Sequence, residues 1–174
     1  MSLLKSKETN FTLDLSAGVS LFAVLRVEQQ KRQGRKVIFE AGHISGPGKL
    51  TVGLDHNDNL NVWLIDTEGK EVCGDPIEKH IFFEKFVYLC CLLSQSDGEG
   101  KSILTISIDD DHRTQKTISG SWGDEQPARF TIGADLGGKE NAAFSLAEFV
   151  QTKGVPPKEQ LVALRTYIKQ RYKI

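Results

Sequence analysis

The sequence predicts an all-β, two-sheet antiparallel sandwich closed by one carboxy-terminal α-helix. Three observations predict it. Short extended runs, separated by polar and glycine-bearing turns, fill residues 11 to about 152. No helical crossover pattern separates these runs, so neighbouring strands pair antiparallel and two sheets share one core. The hydrophobic period then changes, and residues 157–172 place Leu161, Leu164, Ile168 and Tyr172 on one helical face.

The elements follow in order. The first ten residues, "MSLLKSKETN", read as a flexible segment ahead of a single domain spanning 11–174. "GVSLFAVLRVE" is apolar at Val19, Leu21, Ala23, Leu25 and Val27, and also at Phe22 and Val24, as a strand covered on both faces requires. "KVIFEAGH" follows the polar loop "EQQKRQGR". "KLTVGLDHNDNLNVWLID" reads as a hairpin, with Leu50, Val52 and Leu54 alternating on one arm and Leu60, Val62 and Leu64 on the other. The segment His56–Asn59 turns it, because Asn and Asp tolerate left-handed backbone and bond their own main chain.

"FVYLCCLLS" is a continuous apolar run of strand length, which predicts burial on both faces. "SILTISI" points Leu104, Ile106 and Ile108 inward, and "QKTISG", "ARFTIGA" and "FSLAEFV" complete about ten strands. In the tail, Pro157 stands where a helix start tolerates proline, Glu159 suits the positive end, and Arg165, Lys169, Arg171 and Lys173 suit the later turns. The loops "SDGEG" and "GGKEN" are expected to be disordered.

Composition narrows the function classes. The 174 residues carry 39% hydrophobic and 26% charged side chains, an ordinary globular balance. With 22 basic against 23 acidic residues there is no net field to attract nucleic acid or an anionic membrane. No apolar run approaches the roughly 20 residues of a spanning helix, so membrane insertion is not expected. The start lacks a secretory signal, and "MSL" is equally compatible with a domain cut from a larger protein; the compartment stays open. Cys73, Cys90 and Cys91 form neither a disulfide framework nor a zinc spacing.

The densest polar motif is "SIDDDHRTQ", residues 107–115. Glycosidase carboxylates flank a scissile bond from one face, whereas Asp109, Asp110 and Asp111 are consecutive and alternate faces in a strand. A turn is therefore predicted, with Arg113 available to neutralise one acid and only Asp111 and His112 left able to reach a ligand. "DHNDN" places Asp55, Asn57 and Asn59 at the one-three-five spacing of a calcium loop, with Asp66 at the twelfth place. Leu60 stands where that loop needs glycine, so a hairpin turn is expected; calcium held in another geometry is left open, and no cofactor is predicted. Gly-x-Ser-x-Gly, His-Glu-x-x-His and a phosphate loop are absent.

The final third resembles the concanavalin A-like, or laminin-G-like, jelly-roll superfamily. The residues that carry the resemblance are Ile132–Gly133, then Leu146, Ala147, Glu148 and Phe149, and finally Tyr167, Ile168, Arg171 and Tyr172, with the earlier strand order in agreement. Phe86 and Val87 depart from a tryptophan–histidine pair common in the family, and "GVPP" replaces the usual helix cap. The resemblance implies a jelly roll and a non-catalytic, lectin-like module for oligo- or polysaccharide, cut from a larger extracellular or phage-like protein. The alternatives are a structural or protein–protein interaction domain, and a glycosidase or lyase with an unrecognised motif. Trp122, in the loop "SGSWGDEQ", and Trp63, out of phase with Val62 and Leu64, are the candidate sugar-stacking rings. His43, Asp55, His56 and Asp124 are the candidate polar neighbours. A plug at one end of the sandwich is the competing role for Trp122. The sequence leaves the oligomeric state open.

Overall fold

The computed structural model describes residues 4–5, 12–29, 34–42, 48–122, 126–137 and 139–174. Within them the chain is a jelly-roll β-sandwich with one carboxy-terminal helix. In chain order the strands are β1 (Leu4–Lys5), β2 (Thr12–Leu13), β3 (Val19–Val27), β4 (Lys36–Gly42), β5 (Lys49–Leu54), β6 (Leu60–Ile65) and β7 (Glu71–Cys73). They continue as β8 (Phe86–Leu93), β9 (Lys101–Ile108), β10 (His112–Ser119), β11 (Gln126–Pro127), β12 (Arg129–Ile132) and β13 (Phe144–Lys153), before the helix α1 (Lys158–Tyr172). Nine of the thirteen strands are the runs read from the sequence, against the ten or so expected, and the other four, β1, β2, β7 and β11, are pieces of two or three residues. β1 falls inside the stretch 1–10 read as flexible, where Leu4 and Lys5 pair with Ile132 and Thr131.

One sheet runs β1-β12-β4-β5-β6-β7 and the other β10-β9-β8-β3-β13, all neighbours antiparallel, with β11 and β2 forming a small ribbon. The core lies between the two large sheets. Val19, Leu21, Ala23, Leu25 and Val27 of β3 face Val52, Leu54, Leu60, Val62 and Leu64 of the other sheet within one apolar cluster. The opposite face of β3 and β8 carries Phe22, Val24, Tyr88 and Cys90, which pack against Ile168 and against Leu161, Leu164 and Tyr172 of α1. The two-sided burial expected for these runs thus has two causes: one sheet partner and one helix.

Local chemistry sets the turns. In the β5–β6 hairpin Leu54 pairs with Leu60, Asp55 Oδ1 accepts the N–H groups of Asn57 and Asn59, and Asp58 takes a φ of 67°. That carboxylate is doing the work of a turn, as the residue types predict. The loop "SDGEG" is ordered by the same device: Asp97 Oδ1 accepts the N–H groups of Glu99 and Lys101 at 2.9 and 2.8 Å. In "GGKEN", where Gly138 lies outside the described residues, Asp135 Oδ1 accepts the N–H groups of Lys139 and Glu140. The loop "SDGEG" therefore departs from the disorder expected of its glycines. Among the described residues no helix is long and apolar enough to cross a membrane.

Candidate functional site

The acidic stretch is a turn. His112 pairs with Ile108, leaving Asp109, Asp110 and Asp111 as the loop, with Asp109 and Asp110 at φ 52° and 65°. Asp109 Oδ1 accepts the Tyr88 N–H at 2.7 Å, and Asp110 faces Arg165 of α1 at 2.5 Å and Lys169 at 4.0 Å. The expected neutralising partner, Arg113, is occupied elsewhere: its Nη2 donates to Gln115 Oε1 at 3.1 Å. Arg113 lies along a strand, whereas α1 crosses directly above the turn. Asp111 and His112 stay exposed at this hairpin end.

Of the six residues put forward as a binding set, four are described: Trp122, Trp63, Asp55 and His56. His43 and Asp124 lie outside the described residues. Trp122 is 5% exposed and belongs to the inter-sheet core; its indole Nε1 donates to the Gly100 carbonyl at 3.2 Å. It takes the plug position rather than that of an exposed loop ring, and the chain makes room for it with a glycine, since a Cβ on Gly120 would meet the ring at 2.9 Å. Trp63 does point away from Val62 and Leu64, yet it is 6% exposed, because the Arg35 guanidinium lies over its ring at 4.3 Å. Asp55 and His56 sit at the β5–β6 tip, Asp55 spent on the turn and His56 exposed against the Asn57 amide. Among the described residues no group of three or more His, Cys, Asp or Glu side chains is placed to hold a metal ion.

A concave site lies elsewhere, at the sandwich edge where β13 ends. A groove of about 400 Å³ runs between β2 and β13. Alternation along β13 sends Phe149, Gln151 and Lys153 to the same face, opposite Ala23, Leu21 and Val19 of β3. Across from them stand Asp14, at the end of β2, and Phe130 of β12. Phe149 and Phe130 are half-buried, held by Phe39 at ring separations of 5.0 and 6.4 Å. The Gln151 amide makes no hydrogen bond to the described residues. Gly18 contributes bare backbone, and a Cβ there would lie 2.5 Å from the Leu93 carbonyl.

In the groove Asp14 and Lys153 form an ion pair. Asp14 Oδ1 accepts the Ser16 hydroxyl at 2.6 Å and the Ala17 N–H at 3.0 Å, while Oδ2 faces Lys153 at 3.2 Å. Burial works to raise the Asp14 pKa, but these bonds and the lysine charge outweigh it and hold the carboxyl below its usual range. Sequence reasoning missed this site because its walls come from residues 12–19, 130 and 149–153, brought together only by folding. The one signal was the phase of "EFVQTK", in which a ring, an amide and an ammonium alternate onto a single face.

Cys90 and Cys91 offer no second site. Burial pushes the Cys90 thiol up to about 12 and the fully buried Cys91 well above the ordinary range, so neither is a nucleophile at neutral pH.

No family model matches the sequence, and no curated protein matches it significantly. Solved structures do match the fold. The SAP-like pentraxin of Limulus polyphemus superposes with a TM-score of 0.62 at 13% identity, over 94% of this chain and 75% of the pentraxin. The botulinum neurotoxin serotype G binding domain gives 0.64 at 13% identity, over 94% of this chain and 39% of that one. A botulinum neurotoxin type C structure, whose cell entry depends on interaction with two ganglioside molecules, gives 0.60 at 12% identity over 89% and 36%. The chain thus spans about two fifths of the toxin chains it matches. At these identities the comparisons establish one thing about this chain: it shares the jelly-roll β-sandwich fold of these domains.

Proposed function

We propose that this chain is a non-catalytic, lectin-like module of the concanavalin A-like type that binds a neutral sugar unit in the β2–β13 groove. The observation that carries the reading is the groove lining. Phe149 offers a ring for the C–H face of a pyranose, with Phe130 beside it in the lining, and the Gln151 amide, which bonds none of the described residues, is able to bond hydroxyls. Its volume of about 400 Å³ suits a small ligand. Asp14 and Lys153 already neutralise each other, which favours an uncharged ligand over an acidic one. The fold is shared with a toxin structure that interacts with gangliosides, which supports glycan recognition by analogy.

Hydrolysis finds no support in the same geometry. It needs two carboxylates flanking the bond, and among the described residues Asp14 is the one carboxylate lining the groove. A glycan array with wild type and Gln151→Ala tests the reading. Wild type is expected to bind a neutral oligosaccharide, and the variant to lose about fivefold to tenfold in affinity, the worth of one or two neutral hydrogen bonds. An array on which wild type binds no glycan ends the proposal.

A further inference from the structure

At the opposite edge of the six-stranded sheet lies a cluster that the groove does not use. Trp63 sits on the outer face of β6, next to the edge strand β7, while α1 packs on the other sheet. Arg35, which enters β4 after Gly34 at φ 99°, reaches over this ring and stacks on it at 4.3 Å. Its Nη1 donates to Glu71 Oε2 at 3.0 Å and its Nη2 to Oε1 at 2.9 Å, a two-pronged grip on one carboxylate. The ring holds the guanidinium plane in position, so the fork is preorganised for a planar anion. Yet both partners stand in solvent, with side chains 32% and 43% exposed. An exposed pair of this kind is nearly balanced between its own partner and water, so the Glu71 carboxylate is easily exchanged for another.

We infer that Arg35 and Trp63 form a second binding site, for the carboxylate of an acidic sugar, which Glu71 occupies from within the chain while the site is free. The incoming carboxylate takes the two guanidinium bonds in the place of Glu71, while the buried indole beneath Arg35 holds the guanidinium plane in position. The choice of a sugar over another carboxylate rests on the glycan-binding reading; the site itself is independent of the groove.

Titration of the full chain with D-glucuronate, followed by the indole N–H resonance of Trp63 and by calorimetry, tests it. That resonance is assigned as the one lost in Trp63→Phe. Glucuronate is expected to shift it at far lower concentration than glucuronamide, which keeps the ring and lacks the charge, and at lower concentration than acetate. Arg35→Lys should abolish the preference, because an ammonium cannot grip both oxygens. Glu71→Gln should tighten glucuronate by about threefold to fivefold, since an internal competitor is removed. Gln151→Ala should leave all of this unchanged, which separates the site from the groove. Equal binding of glucuronate and glucuronamide, or no tightening in Glu71→Gln, overturns the inference. Acetate matching glucuronate overturns the sugar assignment and leaves a bare anion site.

Discussion

The Asp110 carboxylate lies 2.5 Å from Arg165 Nε, and this pair joins the tip of the β9–β10 hairpin to the middle of α1. The helix is also held by a modest apolar face in which Ile168 alone is fully buried, and by the Tyr172 hydroxyl, which donates to Glu148 Oε2 of β13 at 2.8 Å. Asp110 also needs a left-handed backbone at φ 65°, which Asn tolerates as well as Asp. Asp110→Asn therefore isolates the charge. It should cost about 0.5–1 kcal/mol in urea unfolding, with the loss shrinking at high salt, while Asp111→Asn, exposed on the same turn, should cost little. Equal effects of the two substitutions would leave the helix without this tether.

Trp122 separates a core role from a binding role. Its ring fills the space beside Gly120 inside the inter-sheet cluster. Trp122→Ala should destabilise by about 3–5 kcal/mol, the range for deleting a buried aromatic side chain. Chemical denaturation reads this directly. A variant that stays fully stable but no longer binds a glycan would return Trp122 to the ligand.

Asp14 predicts a pH dependence. Its folded pKa is depressed below the ordinary value of 3.8, because the Ser16 hydroxyl, the Ala17 N–H and Lys153 outweigh burial. A depressed carboxylate contributes stability that is present above the unfolded pKa and lost as pH falls through the folded one. Wild type should therefore exceed Asp14→Asn in stability at neutral pH, and the gap should close below about pH 4. Melting temperatures from pH 2 to 7 give the test, and a gap that persists at pH 2 contradicts the assignment.

Thiol labelling follows from burial. Cys90 and Cys91 are buried and Cys73 is only partly so. A thiol reagent at pH 8 should titrate Cys73 in the native protein and all three thiols in denaturant. Rapid native labelling of Cys90 would show that α1 opens readily from the sheet.

Calcium dependence is expected to be absent, because the Asp55 oxygen that suits a cation is already bonded to the Asn57 and Asn59 N–H groups. Addition of calcium or of a chelator should leave the melting temperature unchanged; a rise with calcium would place a metal in this turn or in another loop.

Residues 50–64 show how far the sequence carries. The alternation of Leu50, Val52, Leu54, Leu60, Val62 and Leu64 determines the hairpin, its register and its buried face, because strand side chains alternate with a period of two. The apolar runs of β3 and β8 likewise determine two-sided burial, and the spacing of Leu161, Leu164 and Ile168 determines the helix face. These are local periodicities, legible without partners. Tertiary structure decided everything that depends on which strands meet. It brought Asp14 to Lys153 across 139 positions of sequence, turned Arg35 onto Trp63, gave Asp110 to Arg165 rather than Arg113, and enclosed Trp122. A side chain's phase says which face of its strand it leaves. Whether that face meets a sheet, a helix, a guanidinium or solvent is set by long-range packing, and beyond the phase of "EFVQTK" the candidate site lives in that second kind of information.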